Sequence, residues 1–231
     1  MSKKKSDLKV VLGQPYAVLT GDVVGSSKLD EAARRELPVA LKNASQAARA
    51  LFGKAVPLEA DVFRGDSWQL VVTDAKLGLR AAVFFRAHLH GHSPKVGLDT
   101  RIAIGIGTIQ FVPHGQVSQG DGPAFRESGK VLESMPKIRR LALSVTESKT
   151  PAGIAPVIGL MDTVMERWTE KQALAVGGVL QGLPQAQIAG LWVPAVTQPV
   201  VARHLRQAGW EAVAAGLAYV EHTLSELFLM Q

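Results

Sequence analysis

Residues Val10–Val24 are rich in Val and Leu, the pattern of a central strand covered on both faces. Ser26 or Ser27 can cap the element that follows. In "KLDEAARRELPVALKNASQAARALFG", Leu41, Ala44, Ala48 and Leu51 recur at helical spacing. Pro38 removes a ladder bond there, which predicts a kink or two helices, and Gly53 ends the element. "PLEADVFRGDSWQLVVTD" reads as two short strands folded about a Gly65-Asp66 turn. "AKLGLRAAVFFRAHLHG" predicts a helix with Leu77, Leu79, Ala82, Val83 and Phe84 on or near one face. "LDTRIAIGIGTIQFV" alternates as a strand. After the Gly- and Gln-rich loop "PHGQVSQGDGP", Pro123 starts a helix through about Leu132, and "PKIRRLAL" predicts another short helix after Pro136.

Strand, helix, paired strands, helix, strand, helix is the order of an α+β domain with one continuous sheet. The ferredoxin-like, split βαβ topology is its economical form. The Pro/Gly/Thr-rich "ESKTPAGIAP" opens an expected linker over 151–164, after the sheet domain over 10–150. From 165 to 231 the pattern is all-helical: "MERWTEKQALAVGGVLQG", "PQAQIAGLW", "TQPVVARHLRQAG" and "EAVAAGLAYVEHTLSELFLM".

Composition narrows the classes. The 231 residues are 47% hydrophobic, enough for a sizeable core. There is no cysteine, which excludes disulfides and thiolate-held metals and fits a reducing, cytoplasmic setting. No run of about 18 apolar residues occurs, so no membrane span is expected. The basic start, "MSKKKSDLK", reads as a solvated tail over 1–9 and not as a signal peptide. The net charge of +6 is unevenly spread. From Met165 onward there are four Lys/Arg against five acids; the first 164 residues hold 22 against 15. Attraction for an anionic partner therefore lies in the N-terminal part.

The chemistry centres on two acids. "VLTGDVVGSS" carries Asp22 at the tip of the first strand, and "FRGDSWQLVV" carries Asp66 in the hairpin. If the two strands are neighbours, the acids meet. A divalent cation gives two close carboxylates a reason to pair, with substrate phosphates as its other ligands. The turn Gly25-Ser26-Ser27 exposes backbone N–H groups suited to phosphate. Arg126 and Lys130, four apart in "GPAFRESGKVLE", lie on one helical face as a triphosphate clamp. Gly105 and Gly107 admit close approach to their strand.

Together these motifs resemble the class III nucleotidyl cyclases. "VLTGDVVGSS" is similar to their first metal motif, "FRGDSWQLVV" to their Gly-Asp hairpin, and "TRIAIGIGT" to the strand that follows. "GPAFRESGKVLE" is similar to the helix that carries their transition-state Asn and Arg. The closer resemblance, including the helical part, is to the SatD-like group of bacterial proteins, a cyclase-like domain followed by a helix-turn-helix. It implies Asp22 and Asp66 as ligands of Mg²⁺ or Mn²⁺, assisted by the Val23 carbonyl, and a nucleoside triphosphate held by Gly25, Ser26, Ser27, Arg126 and Lys130. It also implies a homodimer, since active cyclases of this class build their site across two chains. Arg126 and Lys130 stand where cyclases have Asn and Arg, and Val62 falls near their base-reading Lys. Nucleotide binding by a regulator is thus the first reading. An active cyclase or nucleotidyltransferase with two-metal catalysis is the alternative, with Asp22, Asp66, Arg126 and Lys130 as catalytic residues. A degenerate cyclase fold serving as a dimerisation scaffold is a third.

In the helical part, Ile188, Ala189, Val200, Val201 and Leu205 form the expected hinge core of a helix-turn-helix. Thr197 caps its second helix, which offers Thr197, Gln198, Arg203, His204 and Arg206 to double-stranded DNA. "HLHGH" spaces His88, His90 and His92 over different helical faces, which suits helix-end contacts better than a metal site. Trp68 is expected in the core.

Overall fold

The computed structural model describes residues 8–63, 65–93 and 97–229. Residues 1–7 of the expected tail lie outside them. Leu8 does not behave as tail, since its N–H donates to the Val112 carbonyl at 3.2 Å.

The strands are β1 (Tyr16–Val23), β2 (Asp61–Phe63), β3 (Ser67–Val72), β4 (Thr100–Gly107) and β5 (Leu141–Val145), in the spatial order β2-β3-β1-β4-β5. β1 lies between β3 and β4, antiparallel to both, and β2 pairs with β3. This is the expected ferredoxin-like order, extended at one edge by β5, which runs parallel to β4. β1 is shorter than its apolar run, because Gly13 at φ 76° turns the chain before it.

β5 replaces the helix expected in "PKIRRLAL". Residues 136–140 form a turn, and Leu141, Leu143 and Val145 are buried at the two-residue period of a strand.

Helix α1 (Glu31–Phe52) is capped by Asp30, whose carboxylate accepts the Ala33 N–H at 2.8 Å, and ends at Gly53 with φ 53°. It does not split at Pro38. Ala33, Leu37, Leu41, Ala44 and Ala48 hold one continuous face against the core, which outweighs the lost bond. α1 and α2 (Gly78–Gly91) cover one face of the sheet, against Leu19, Leu70, Ile102 and Ile104. α3 (Pro123–Ser134) covers the other, against Tyr16, Val18 and Val71.

Two glycines permit these contacts. A Cβ on Gly21 would lie 2.5 Å from the Trp68 ring, and one on Gly105 would lie 2.3 Å from the Ala124 carbonyl of α3. Trp68 is fully buried as expected and stacks on Phe85 at 4.0 Å.

The segment expected as a linker is α4 (Ile154–Met165), with Ile154, Ile158, Met161 and Asp162 buried. The helix expected to start at Met165 begins instead at α5 (Glu170–Leu180), where Thr169 and Gln172 form a capping box. α6 (Gln185–Ala189), α7 (Gln198–Gln207) and α8 (Trp210–Leu229) complete the layer.

This layer is not a separate body. One hydrophobic cluster runs from Leu19 and Ile104 in the sheet through Phe84 in α2 to Val176, Leu205 and Leu217. α2 is therefore buried on nearly all sides, not on one face as its sequence suggested: α5 packs along its outer side, with the Leu174 N–H 2.8 Å from the Cβ position of Gly91. Arg86 of α2, with Asp99 ahead of β4 and Asp162 of α4, forms a buried bridge, with Nε–Oδ1 of Asp99 at 2.7 Å and Nη1–Oδ1 of Asp162 at 3.0 Å. Arg80 pairs with Glu221 of α8 at 2.6 Å. No described helix is long and apolar enough to cross a membrane.

The shared core leads to a test of the expected boundary. Chains 1–150 and 165–231, expressed separately, should each lack a cooperative calorimetric transition, since each exposes the apolar face the other covers. A sharp transition in 1–150 alone would overturn the single-core account.

Candidate functional site

Asp22 lies next to last in β1, with Ser67 of β3 opposite on one side and Arg101 of β4 on the other. Its side chain faces the α3 side of the sheet, the side of Tyr16, Val18 and Thr20. Asp66 sits in the adjoining turn. Its backbone carbonyl accepts the Val23 N–H at 3.2 Å, and the Ser67 hydroxyl lies 3.4 Å from its Oδ1. The Ser26 hydroxyl donates to its Oδ2. Asp66 immediately precedes Ser67, the register partner of Asp22, so the two acids sit at one end of the sheet.

The following turn is fixed from several sides. Gly25 adopts φ 68°, a left-handed conformation that favours glycine. The Val24 N–H donates to the Asp99 carbonyl at 2.8 Å, and the Ser27 carbonyl accepts from Arg34 at 3.0 Å. Thr100 is fully buried; its hydroxyl accepts from the Trp68 indole at 3.0 Å and donates to the Asp22 carbonyl at 2.8 Å.

Sequence reading missed Arg101. Its Nε bonds Asp22 Oδ1 at 2.9 Å and its Nη2 bonds Oδ2 at 2.5 Å, while Nη1 reaches the Met135 carbonyl at the end of α3 at 3.3 Å. Hydrogen bonding to Asp22 holds Arg101 above the ordinary arginine value. The signal was present: in the alternating "TRIAIGIG", Arg101 falls on the same face as Gly105, but only the β1–β4 register sets it opposite Asp22. Thr20, Gln69 and Ser128 were missed too. Thr20 meets Ser128 at 2.7 Å and accepts from Gln69 at 3.1 Å, continuing the polar ladder inward from Asp22.

Both Asp22 oxygens accept from Arg101, and Asp66 accepts from Ser26 with the Ser67 hydroxyl nearby, so a cation on the implied ligand set would share Asp22 with a guanidinium. Among the described residues no group of three His, Cys, Asp or Glu could hold an ion.

Arg126 stands well back from the acids of its own chain: Met135, the residue that caps α3, lies beside Arg101, and Arg126 is nine residues before it, about 14 Å along the axis. Both residues are exposed on the outer side of α3, and Arg126 bonds Asp121 at 2.7 Å.

Burial alone raises the Asp99 carboxyl, but Arg86 and the Thr100 N–H outweigh it and hold it below the usual carboxylate value. The turn before β5 adds Lys137, Arg139 and Arg140, and the Arg140 carbonyl accepts the Ile102 N–H at 2.7 Å, so these cations lie at the same end of the sheet.

In the helical layer, Ile188, Ala189, Val201 and Leu205 are buried, but Val200 is only half-buried. The connection from Gly190 to Thr197 spans eight residues, against the three or four of a usual helix-turn-helix. It contains a cis Val193-Pro194 bond. Thr197 occupies the cap position of α7 without a side-chain capping bond. Gln198, Arg203 and Arg206 are exposed. His204 is not on that face: its ring lies 5.9 Å from Trp192, and burial, then Arg203 and Lys171, push its value down.

Only His90 turns away from the other two histidines: it spans the carbonyls of Leu98 and Trp168 at 3.1 and 3.0 Å. His88 and His92, the latter capping α2, share a face and stack at 4.0 Å, against the expectation of three different faces.

No protein-family model matches the chain, and no curated protein matches it. Solved structures similar to it include nucleotidyl cyclases. The guanylyl cyclase Cya2 is 14% identical, over 58% of this chain and 77% of its own, with a TM-score of 0.42. The adenylyl cyclase CyaB from P. aeruginosa is 20% identical, over 52% and 71%, at 0.37. A Trypanosoma brucei adenylate cyclase, in its monomeric state, is 16% identical, over 63% and 78%, at 0.38.

His88 makes stability depend on pH. Burial and then the neighbouring His92 lower it from 6.5 to about 4. The unfolded chain therefore binds the extra proton first, and stability present above pH 6.5 is lost as pH falls toward 4, by up to about 3 kcal/mol. Urea unfolding at stepped pH should show this loss, and His88→Gln should flatten it. An unchanged slope in the variant would refute the assignment.

Proposed function

We propose that this chain is a nucleotide-binding protein built on a cyclase-like sheet, with the helical layer as an integral part of it. One observation carries the reading. The strand-tip Asp22 and the hairpin Asp66, distant in sequence, stand at one end of β1 and β3, and the Gly25-Ser26-Ser27 turn closes onto Asp66. The exposed cations of the α3–β5 turn, Lys137 and Arg139, give that end an attraction for phosphate, while Arg140 is paired with Asp99.

Arg126 and Lys130 enter this reading through a second copy. Both are exposed on the outer side of α3, and Arg126 lies too far along it to serve its own sheet end, so a nucleotide held by that end and by Arg126 and Lys130 lies between two chains. The ligand is bound as a signal, in keeping with the regulator reading; Asp22 and Asp66 serve to shape the site and are not counted as metal ligands.

The test is thermal unfolding of the full chain with ATP, GTP, CTP and UTP in turn. A ligand at 100 times its dissociation constant adds about 2.7 kcal/mol. At least one nucleotide should raise the transition, and Arg126→Ala with Lys130→Ala should abolish the rise. No rise with any nucleotide sinks the reading.

DNA contact is a second reading, favoured by one feature. α7 turns Val201 and Leu205 inward and leaves Gln198, Arg203 and Arg206 on its exposed side. Under this reading, a pool of random duplexes is retained at low salt, and Arg203→Ala with Arg206→Ala releases it. Retention that survives both changes rules α7 out as the contact.

A further inference from the structure

The acid pair raises a problem of charge. Two carboxylates at one sheet end need a compensating cation, and the resemblance supplies a divalent metal. The chain supplies its own. Arg101 lies directly across from Asp22 in the β1–β4 register, and its guanidinium meets both carboxylate oxygens with a parallel fork of donors, at 2.9 and 2.5 Å. This is the arrangement for which the planar guanidinium is suited, with geometry as well as charge matched. The pair is partly withdrawn from water, at 19% exposure for Arg101 and 26% for Asp22, so solvent competes weakly for either partner.

The third nitrogen holds the group in place. Nη1 bonds the Met135 carbonyl at 3.3 Å, which ties the guanidinium to the end of α3. The backbone of Arg101 is fixed as well, paired in β4 between β1 and β5. A divalent ion at Asp22 would sit at about 2.0–2.1 Å from one of those oxygens, within a few ångströms of the guanidinium charge. Arginine keeps its charge at every working pH, so the guanidinium would repel the incoming ion. Asp66 has only the neutral hydroxyls of Ser26 and Ser67 beside it, so the charge contest for a cation is decided at Asp22.

We propose that Arg101 is the resident cation of this site, standing where a divalent metal would stand, so that Asp22 and Asp66 bind no metal and the site takes its nucleoside polyphosphate without one. The ligand class rests on the nucleotide reading above; the exclusion of metal does not. Two-metal phosphoryl transfer is absent from such a site, because its first metal position is filled by a side chain.

The experiment separates the two parts. Manganese binding is followed by electron paramagnetic resonance on the full chain with no nucleotide present. The wild type should leave Mn²⁺ free. Arg101→Ala should bind about one Mn²⁺ per chain, because removing the guanidinium frees the Asp22 carboxylate beside Asp66. Asp22→Ala added to Arg101→Ala should abolish that binding. Arg101→Gln, closer in size, repeats the gain if the alanine variant folds poorly. Mn²⁺ bound by the wild type and lost in Asp22→Ala would overturn the proposal, and this arm needs no Arg101 variant. Absence of any gain in a folded Arg101 variant would overturn it as well. In parallel, whichever nucleotide raises the unfolding transition should do so equally in EDTA and in Mg²⁺, and a rise that vanishes in EDTA counts against metal-free binding. If no nucleotide acts at all, the nucleotide reading fails while the Mn²⁺ result still decides the role of Arg101.

Discussion

Burying Arg86 sets the terms on which the two layers meet. Its side chain is only 4% exposed, and a charge so far from water is tolerated only when its donors are fully used. Nε and Nη2 go to Asp99, and Nη1 goes to Asp162. Asp162 in turn accepts the Arg140 N–H at 2.8 Å with its other oxygen. One guanidinium thus joins α2, the entry to β4, α4 and the entry to β5. The apolar surface of α2 can be covered on its outer side only because α4 brings Asp162 to this position. Sheet and helical layer are bound into one core at this point, and Asp99 carries the connection on to the Val24 N–H beside the candidate site.

Much of the sheet was legible before folding. The alternation in "TRIAIGIG", the apolar run into Asp22 and the Gly65-Asp66 turn are local patterns, and local patterns specify strands and hairpins. What was not legible depended on partners distant in sequence. "PKIRRLAL", beginning at Pro136, suggested a short helix; pairing with β4 makes Leu141–Val145 a strand. The Pro/Gly/Thr composition around Thr150 suggested a linker. Ile154, Ile158 and Met161, at helical spacing, drive α4 onto β5 despite Pro156, which sits in the first turn where proline is tolerated.

The site divides in the same way. Asp22 and Asp66 stand out because acids at strand tips and hairpin turns are visible in one dimension. Arg101 was hidden because a basic residue in a strand reads as a solvated position until the register is known. Its placement changes the electrostatic meaning of the acids: Asp22 is half of a neutral pair. A motif match identifies residue types in order and says nothing of the neighbour that neutralises them.

Gly105 has a mechanical consequence. With no side chain at that point of β4, the backbone of α3 rests on the backbone of the strand, and the Ala124 carbonyl and Ser128 occupy the vacated space. Helices separated from a sheet by interdigitating side chains can roll by small adjustments of those side chains. α3 has no such bearing surface here. The azimuth of its outer residues is set by covalent geometry, and whatever docks on them meets a rigid template at a fixed height above the strand.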